Sequence, residues 1–267
     1  MIASLGMYDW PEVRTETDNL WTGIARALRE EGFTQVPDKL ERNRPVTDHW
    51  RSPDLLFSQT CGYPLTHEFD GDLELLAAPV YAVEGCSGAE YTSAIIVHKD
   101  SEFTAPADLK GAHAAYNGED SLSGHLALRS VFAPLANNGH FFGKSSCSGG
   151  HPFSMQMVAA GKADVAAIDC VSFALGQKHR PNITDSLRVI AYSPSAPALP
   201  YVTSVGRPKG ELHRLKQALV KAFHDPKLQD TRISLFIEGL EFTSRQTYDR
   251  VLQQEADAAA LGYNELG

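Results

Sequence analysis

Tyr116-Asn-Gly-Glu-Asp-Ser-Leu-Ser-Gly124 is a polar turn set between two apolar segments. Before it, Gly111-Ala-His-Ala-Ala-Tyr116 reads as a short buried strand. After it, Leu126, Leu128, Val131, Phe132 and Leu135 recur at roughly helical spacing. The stretch is therefore a strand-to-helix turn. Ser121 or Ser123 can cap the helix, Gly118 and Gly124 permit close backbone approach, and the first-turn N–H groups have no intrahelical acceptor. Hydroxyls, free amides and the positive end of the helix dipole then converge on one point, which suits an anion. An ordinary capped helix accounts for the same residues, and Asp120 opposes an anion unless its carboxylate turns away.

Outward from the turn, strand and helix patterns alternate. Ile2 to Met7 reads as a first core strand, followed by Tyr8-Asp-Trp-Pro11 and an amphipathic helix over Thr17 to Glu31 that Gly32 stops. A weak strand is expected at Gln35 to Leu40, a short helix near Thr47 to Trp50, and strands at Asp54 to Thr60, Leu73 to Tyr81 and Tyr91 to Val97. Beyond the central turn come a strand over Phe141 to Cys147, a helix over Pro152 to Ala160, the strand Ala163-Asp-Val-Ala-Ala-Ile-Asp169, a helix over Cys170 to Gln177 and a strand at Leu187 to Tyr192. Ser193-Pro-Ser-Ala-Pro-Ala-Leu-Pro200 has the composition of a linker. The remainder reads as one strand, Tyr201 to Val205, and then helices at Glu211 to His224, Leu228 to Glu238 and Ser244 to Leu261.

Such alternation implies α/β layers with a largely parallel sheet, in which ligands bind beyond the carboxyl ends of the strands. Five polar clusters follow apolar strand candidates: Tyr8 with Trp10, Gln59 with Thr60, Ser121 with Ser123, His151, and Asp169. Their equivalent placement points to a shared crevice. Asp169 can equally serve as the N-cap of the helix beginning at Cys170.

Composition limits the partners. With 33 Asp+Glu against 24 Lys+Arg the net charge is −9 and there is no basic run, so nucleic acid is disfavoured. Hydrophobic residues at 43% and charged residues at 21% are ordinary for a globular protein. No stretch approaches the roughly 18 apolar residues of a membrane span, and no charged-then-apolar leader opens the sequence. The protein is expected in an extracytoplasmic compartment if a leader was removed and in the cytoplasm otherwise. The four cysteines read equally as four buried thiols; if a disulfide forms, Cys61 and Cys86 are preferred, since each lies just beyond a strand-like run, with Cys147 and Cys170 the other pair.

At this point the chain resembles the substrate-binding proteins of phosphate, phosphite and phosphonate ABC transporters. The resemblance rests on Tyr91-Thr-Ser93 before an apolar strand, Asp108-Leu-Lys-Gly111, Asp120-Ser-Leu-Ser-Gly124 before a helix, Gly149-Gly-His151, and Gly161-Lys-Ala-Asp-Val-Ala-Ala-Ile-Asp169. It spans roughly residues 50 to 205. It implies a two-lobed type II periplasmic-binding-protein fold, each lobe a mostly parallel sheet flanked by helices, with the ligand cleft between lobes. The lobes are expected at residues 1–93 plus 194–267 and at 94–193, closing about crossings near 92 to 95 and 191 to 195.

By motif, the resemblance implies that Ser121, Ser123, the amide of Gly124 and His151 hold phosphoryl-type oxygens, while Tyr91 and Ser93 contribute from the hinge side. Leu122 stands where the family often has a second hydroxyl. Asp169 matches an acid that meets a ligand ammonium in amine-bearing phosphonate binders, but Pro197 and Ala198 offer no second acid. The expected function is a non-catalytic, monomeric receptor for a small oxyanion that delivers it to an ABC-transporter permease, with no cofactor and no metal. A cytoplasmic sensing module of the same fold is the alternative. A hydrolase is disfavoured because Ser121 and Ser123 lack the flanking glycines of a nucleophile elbow. Cys147 and His151 have a gap that zinc tolerates, with Cys170 or Asp169 as a third ligand, but no second paired motif completes the set.

Overall fold

Apolar runs become strands and striped segments become helices in the order the sequence lays down. The structure, a computed structural model, describes residues 1–266. Strand β1 (Ile2–Ser4) leads to helix α1 (Arg14–Glu30), which buries the stripe Leu20, Ile24, Ala27 and Leu28 and ends before Gly32. Gly32 has φ +86°, the left-handed conformation that closes a helix without steric cost in glycine. Next come α2 (Val46–Trp50), β2 (Leu55–Gln59), α3 (Gly62–Thr66) and β3 (Leu73–Tyr81).

A second series follows: β4 (Cys86–Ser87), β5 (Glu90–Tyr91), β6 (Ser93–His98), β7 (His113–Tyr116), α4 (Ala127–Phe132), β8 (Lys144–Cys147) and α5 (His151–Ala159). It continues with β9 (Val165–Asp169), α6 (Cys170–His179), α7 (Pro181–Thr184), β10 (Leu187–Tyr192) and β11 (Ala196–Pro197). The chain closes with β12 (Tyr201–Ser204), α8 (Lys209–His224), α9 (Gln229–Ser234), β13 (Ile237–Glu241) and α10 (Asp249–Ala260).

Two units result. Unit 1 holds residues 1–82 and 198–247, around a sheet of order β1-β2-β12-β3-β13. Here β1, β2 and β3 share one direction while β12 and β13 run against them. Unit 2 holds residues 83–197 and 248–267, with a sheet of order β10-β6-β9-β7-β8 and a small sheet β11-β5-β4. In its main sheet only β6 is reversed. One apolar cluster of unit 2 joins Leu128, Phe132, Phe141, Val165 and the C-terminal Tyr263.

Two expectations are corrected. Gln35 to Leu40 forms no strand, and its Trp21-facing end is instead tied by Trp21 Nε1 donating to Pro37 O at 3.2 Å. The Leu228 to Glu238 helix stops at Ser234, and Ile237–Glu241 becomes β13, an edge strand antiparallel to β3. The tail from Tyr248 onward belongs to unit 2. The units divide after Ala82 and Pro197.

Candidate ligand-binding site

Strand direction decides where the polar residues of unit 2 collect. Since β7, β8, β9 and β10 run one way and β6 the other, the four carboxyl ends and the start of β6 share one edge of the sheet. Along it stand Asn117 after β7, Ser148 after β8, Asp169 ending β9, Ser93 opening β6 and Ser193 after β10. Ser93 is paired in register with Asp169, and Ser193 pins it by accepting from Ser93 N and donating its own N–H to Ser93 O, both at 2.9 Å.

The turn after β7 gives its two serines different work. Ser121 is the cap: its backbone is extended and its Oγ accepts from Gly124 N at 3.0 Å. Leu126 N then donates to Ser121 O, five residues back, so Leu122–Leu126 forms a single π turn before α4 begins. Such wide turns recur at functional sites because they leave backbone donors free of the regular ladder. Ser123 takes no part in capping; its Oγ lies 2.8 Å from His151 Nε2. A Cβ on Gly124 would fall 1.8 Å from Asn117 Oδ1, so the amide of Asn117 fills the space a side chain would need. Asp120 is exposed, with Oδ1 turned back toward Gly118.

His151 opens α5 just ahead of Pro152, and desolvation of the ring pushes its imidazole down to about 4, so the ring is neutral at physiological pH. Two buried polar atoms beside it, His151 Nδ1 and Asn117 Oδ1, have no hydrogen-bond partner among the described residues. Asn117 Nδ2 lies 3.5 Å from Nε2. A neutral ring carries one proton. If Nε2–H donates to Ser123 Oγ, the serine hydroxyl proton is left for an outside acceptor.

This half-buried, neutral histidine predicts acid sensitivity. Its folded pKa lies below the unfolded value of about 6.5, so the unfolded state binds the extra proton between the two. Its contribution to stability is complete above pH 6.5 and is lost as pH falls toward 4, on the order of 3 kcal/mol across that window. His125, also held down to about 4, first by burial and then by Arg129, acts in the same direction. Urea denaturation at pH 7 and pH 4.5 should show the loss, and His151→Gln should flatten the profile; an unaltered slope in that variant would sink the assignment.

Tyr91, Ser93, Leu122, Ser123, Ser193 and Gln254 line one small cavity of about 10 Å³, room for a single water. Tyr91, Ser93 and Ser123 are thus brought together. Tyr91 is buried, in register with Cys86 on one side and Ala196 on the other. Asp169 is buried and caps α6, Oδ1 accepting from Val171 N at 2.8 Å and Ser172 N at 2.9 Å. Cys147 Sγ lies 3.8 Å from Asn117 O, and no group of three or more His, Cys, Asp and Glu suited to a metal occurs among the described residues.

Unit 1 has its own polar cluster along the carboxyl edge of its sheet. Gln59 Nε2 donates to Tyr81 OH at 3.2 Å and to Leu199 O at 2.9 Å, and the Tyr8 ring meets Tyr81 edge-on at 5.4 Å. Thr60 is fully buried, its Oγ1 donating to Cys61 O at 3.2 Å, and Trp10 is buried with its backbone N–H on Tyr8 O. Sequence reasoning passed over Tyr81 and Asn117. Each immediately ends or follows an apolar strand run, the same signal that selected Gln59 and Asp169.

The expected Cys61 to Cys86 bridge is overturned. All four cysteines are free, and Cys86 Sγ lies 3.3 Å from Cys170 Sγ, within unit 2, while Cys61 belongs to unit 1.

Solved structures place the fold among solute-binding proteins. A binding-protein component of an ABC phosphonate transporter from Pseudomonas aeruginosa superimposes with a TM-score of 0.77 at 17% identity, covering 98% of this chain and 87% of that one. The PhnD1 protein of Prochlorococcus marinus in complex with methylphosphonate gives 0.73 at 15% identity, covering 97% and 98%. A Xanthomonas citri protein bound to ATP gives 0.71 at 17% identity, covering 98% of both chains. At such identities the likeness shows the fold alone. No curated protein matches the sequence.

The family is shown by the sequence itself: residues 52–248 match the periplasmic substrate-binding protein of the phosphonate ABC transporter, and this chain belongs to that family. Its members are solute-binding components of transporters, a class distinct from enzymes. No helix among the described residues is long and apolar enough to cross a membrane.

Proposed function

We propose that this chain binds a small tetrahedral oxyanion of the phosphonate type at the unit 2 turn, without catalysis, and delivers it as a monomer to an ABC-transporter permease outside the cytoplasm. The observation that carries the reading is Ser123 Oγ held 2.8 Å from the neutral His151, on a π turn whose capping is already done by Ser121. A hydroxyl held in place and not spent on the backbone is a donor awaiting an acceptor. The buried, partnerless His151 Nδ1 and Asn117 Oδ1 next to it add polar capacity that costs stability unless something satisfies it. Neutral donors also suit a receptor that must release its ligand, since no fixed cation from this turn holds the anion. Tyr91 and Ser93, gathered at the same cavity, complete the set on this unit, while the Gly124 amide expected to join them is already taken by Ser121 Oγ. Tyr8, Trp10, Gln59 and Thr60 are carried as candidate ligand-binding residues of unit 1 taken by itself, and Asp169 as one of unit 2 through its place opposite Ser93.

A thermal-shift series with methylphosphonate, phosphite, phosphate, sulfate and acetate tests this. A ligand bound only by the folded state at 100 times its Kd stabilises by about 2.7 kcal/mol. A phosphorus oxyanion is expected to raise the melting temperature while sulfate and acetate do not. An equal response to all five, or to none, would overturn the reading.

A further inference from the structure

Cys86 and Cys170 stand 84 positions apart in sequence, yet their sulfurs face each other at 3.3 Å. Local structure explains the meeting. Cys86 lies in the β4–β5 hairpin, opposite Tyr91, and Cys170 is the first residue of α6, directly after Asp169. Gly85 makes the approach possible: at φ +93°, a Cβ there would fall 2.6 Å from Thr92 Oγ1 and 3.0 Å from Cys170 Cβ. Two further bonds lock the elements, Thr92 Oγ1 donating to Gly85 O at 3.0 Å and Cys170 N donating to Thr92 O at 3.1 Å.

We propose that Cys86 and Cys170 are a built disulfide site, closed by exchange with an external organic disulfide, which fastens the hairpin carrying Tyr91 to the helix that Asp169 caps. The inference concerns a covalent bond and stands whatever the ligand is. A side-chain rotation that brings the sulfurs from 3.3 Å to the bonded distance of about 2.05 Å suffices, because the backbones are already docked.

The chemistry runs in one order. Cys86 is half-buried while Cys170 is closed off, and the hydrogen bond to Cys86 together with burial raises the Cys170 thiol well above its usual range. Cys86 is therefore the first nucleophile. Its thiolate attacks one sulfur of oxidised glutathione; that S–S bond breaks, a Cys86–glutathione mixed disulfide forms, and one glutathione thiolate leaves and takes up a proton. Cys170, giving up its proton, then attacks the Cys86 sulfur and expels the second glutathione as a thiol. Two protein thiols are oxidised to one disulfide, and the donor disulfide is reduced to two thiols. Once formed, the bond closes a long loop in the unfolded chain, which favours the folded state.

The test uses the full chain. Protein incubated with oxidised glutathione is denatured, alkylated with iodoacetamide and digested without reductant. A linked peptide pair containing Cys86 and Cys170, with Cys61 and Cys147 alkylated, is the expected result. The oxidised parent should also melt at lower temperature after dithiothreitol, a shift that the more accessible Cys86→Ser variant should lack. Alkylation of both Cys86 and Cys170, or linkage of Cys86 to Cys61 or Cys147, would overturn the proposal. So would an identical reductant-induced shift in Cys86→Ser, since another bond would then be responsible.

Discussion

Ser123→Ala should weaken binding of the phosphorus oxyanion that the parent selects by roughly 10- to 150-fold, the equivalent of about 1.5 to 3 kcal/mol for a hydrogen bond to a charged group. The structure separates this effect from a folding defect. Ser121 makes the capping bond to Gly124 N, so Ser121→Ala should cost about 1 kcal/mol of stability and leave affinity nearly intact. Ser123 makes no capping bond; removing its hydroxyl takes away the group 2.8 Å from His151 Nε2 and the donor proposed for the ligand. Calorimetric titration and thermal melting of the two variants then read different axes. If Ser123→Ala binds like the parent while Ser121→Ala does not, the roles are exchanged and the placement of the ligand on Ser123 fails.

The turn was legible because its signals are local. Apolar strand, Gly-containing polar turn and helical stripe all lie within twenty-odd residues, and each follows from backbone preference or periodicity. Ser123 and His151 could be named for the same reason: each sits next to a strand end or glycine pair visible in the sequence. Their mutual contact could not, since 28 residues separate them. The π turn was also hidden, because nothing in Ser121-Leu-Ser-Gly-His-Leu126 distinguishes a carbonyl five residues back from one four back.

The misread segments fail for physical reasons of the same kind. The apolar residues at 233, 235 and 237 alternate in a way a strand also accepts, and Ile237 with the residues after it pairs with β3, an edge that only the assembled sheet offers. Amphipathic α10 was recognisable as a helix, but an apolar stripe does not say which core it covers. Cys86 likewise found its partner through the docking of a hairpin on a helix start. Spacing along the chain carries no record of that.

The attachment of α10 to unit 2 leads to a large expected loss of stability on substitution. Arg129 on α4 is 4% exposed; its Nε donates to Tyr263 O and its Nη1 to Glu255 Oε1, each at 3.2 Å. Tyr263 is fully buried in the cluster that also holds Leu128 and Phe132. Removing one partner from a buried ion pair costs about 3 to 5 kcal/mol, because the other is left uncompensated. Glu255 keeps 27% side-chain exposure, so water offsets part of that cost and Arg129→Met should sit near the lower end, about 3 kcal/mol. Adding Glu255→Gln removes the stranded charge, so the double variant should recover part of the loss instead of adding to it. Urea unfolding measures both. A deficit below about 1 kcal/mol in Arg129→Met would mean that this buried pair does not hold the C-terminal helix in place, since even a single neutral hydrogen bond is worth that much.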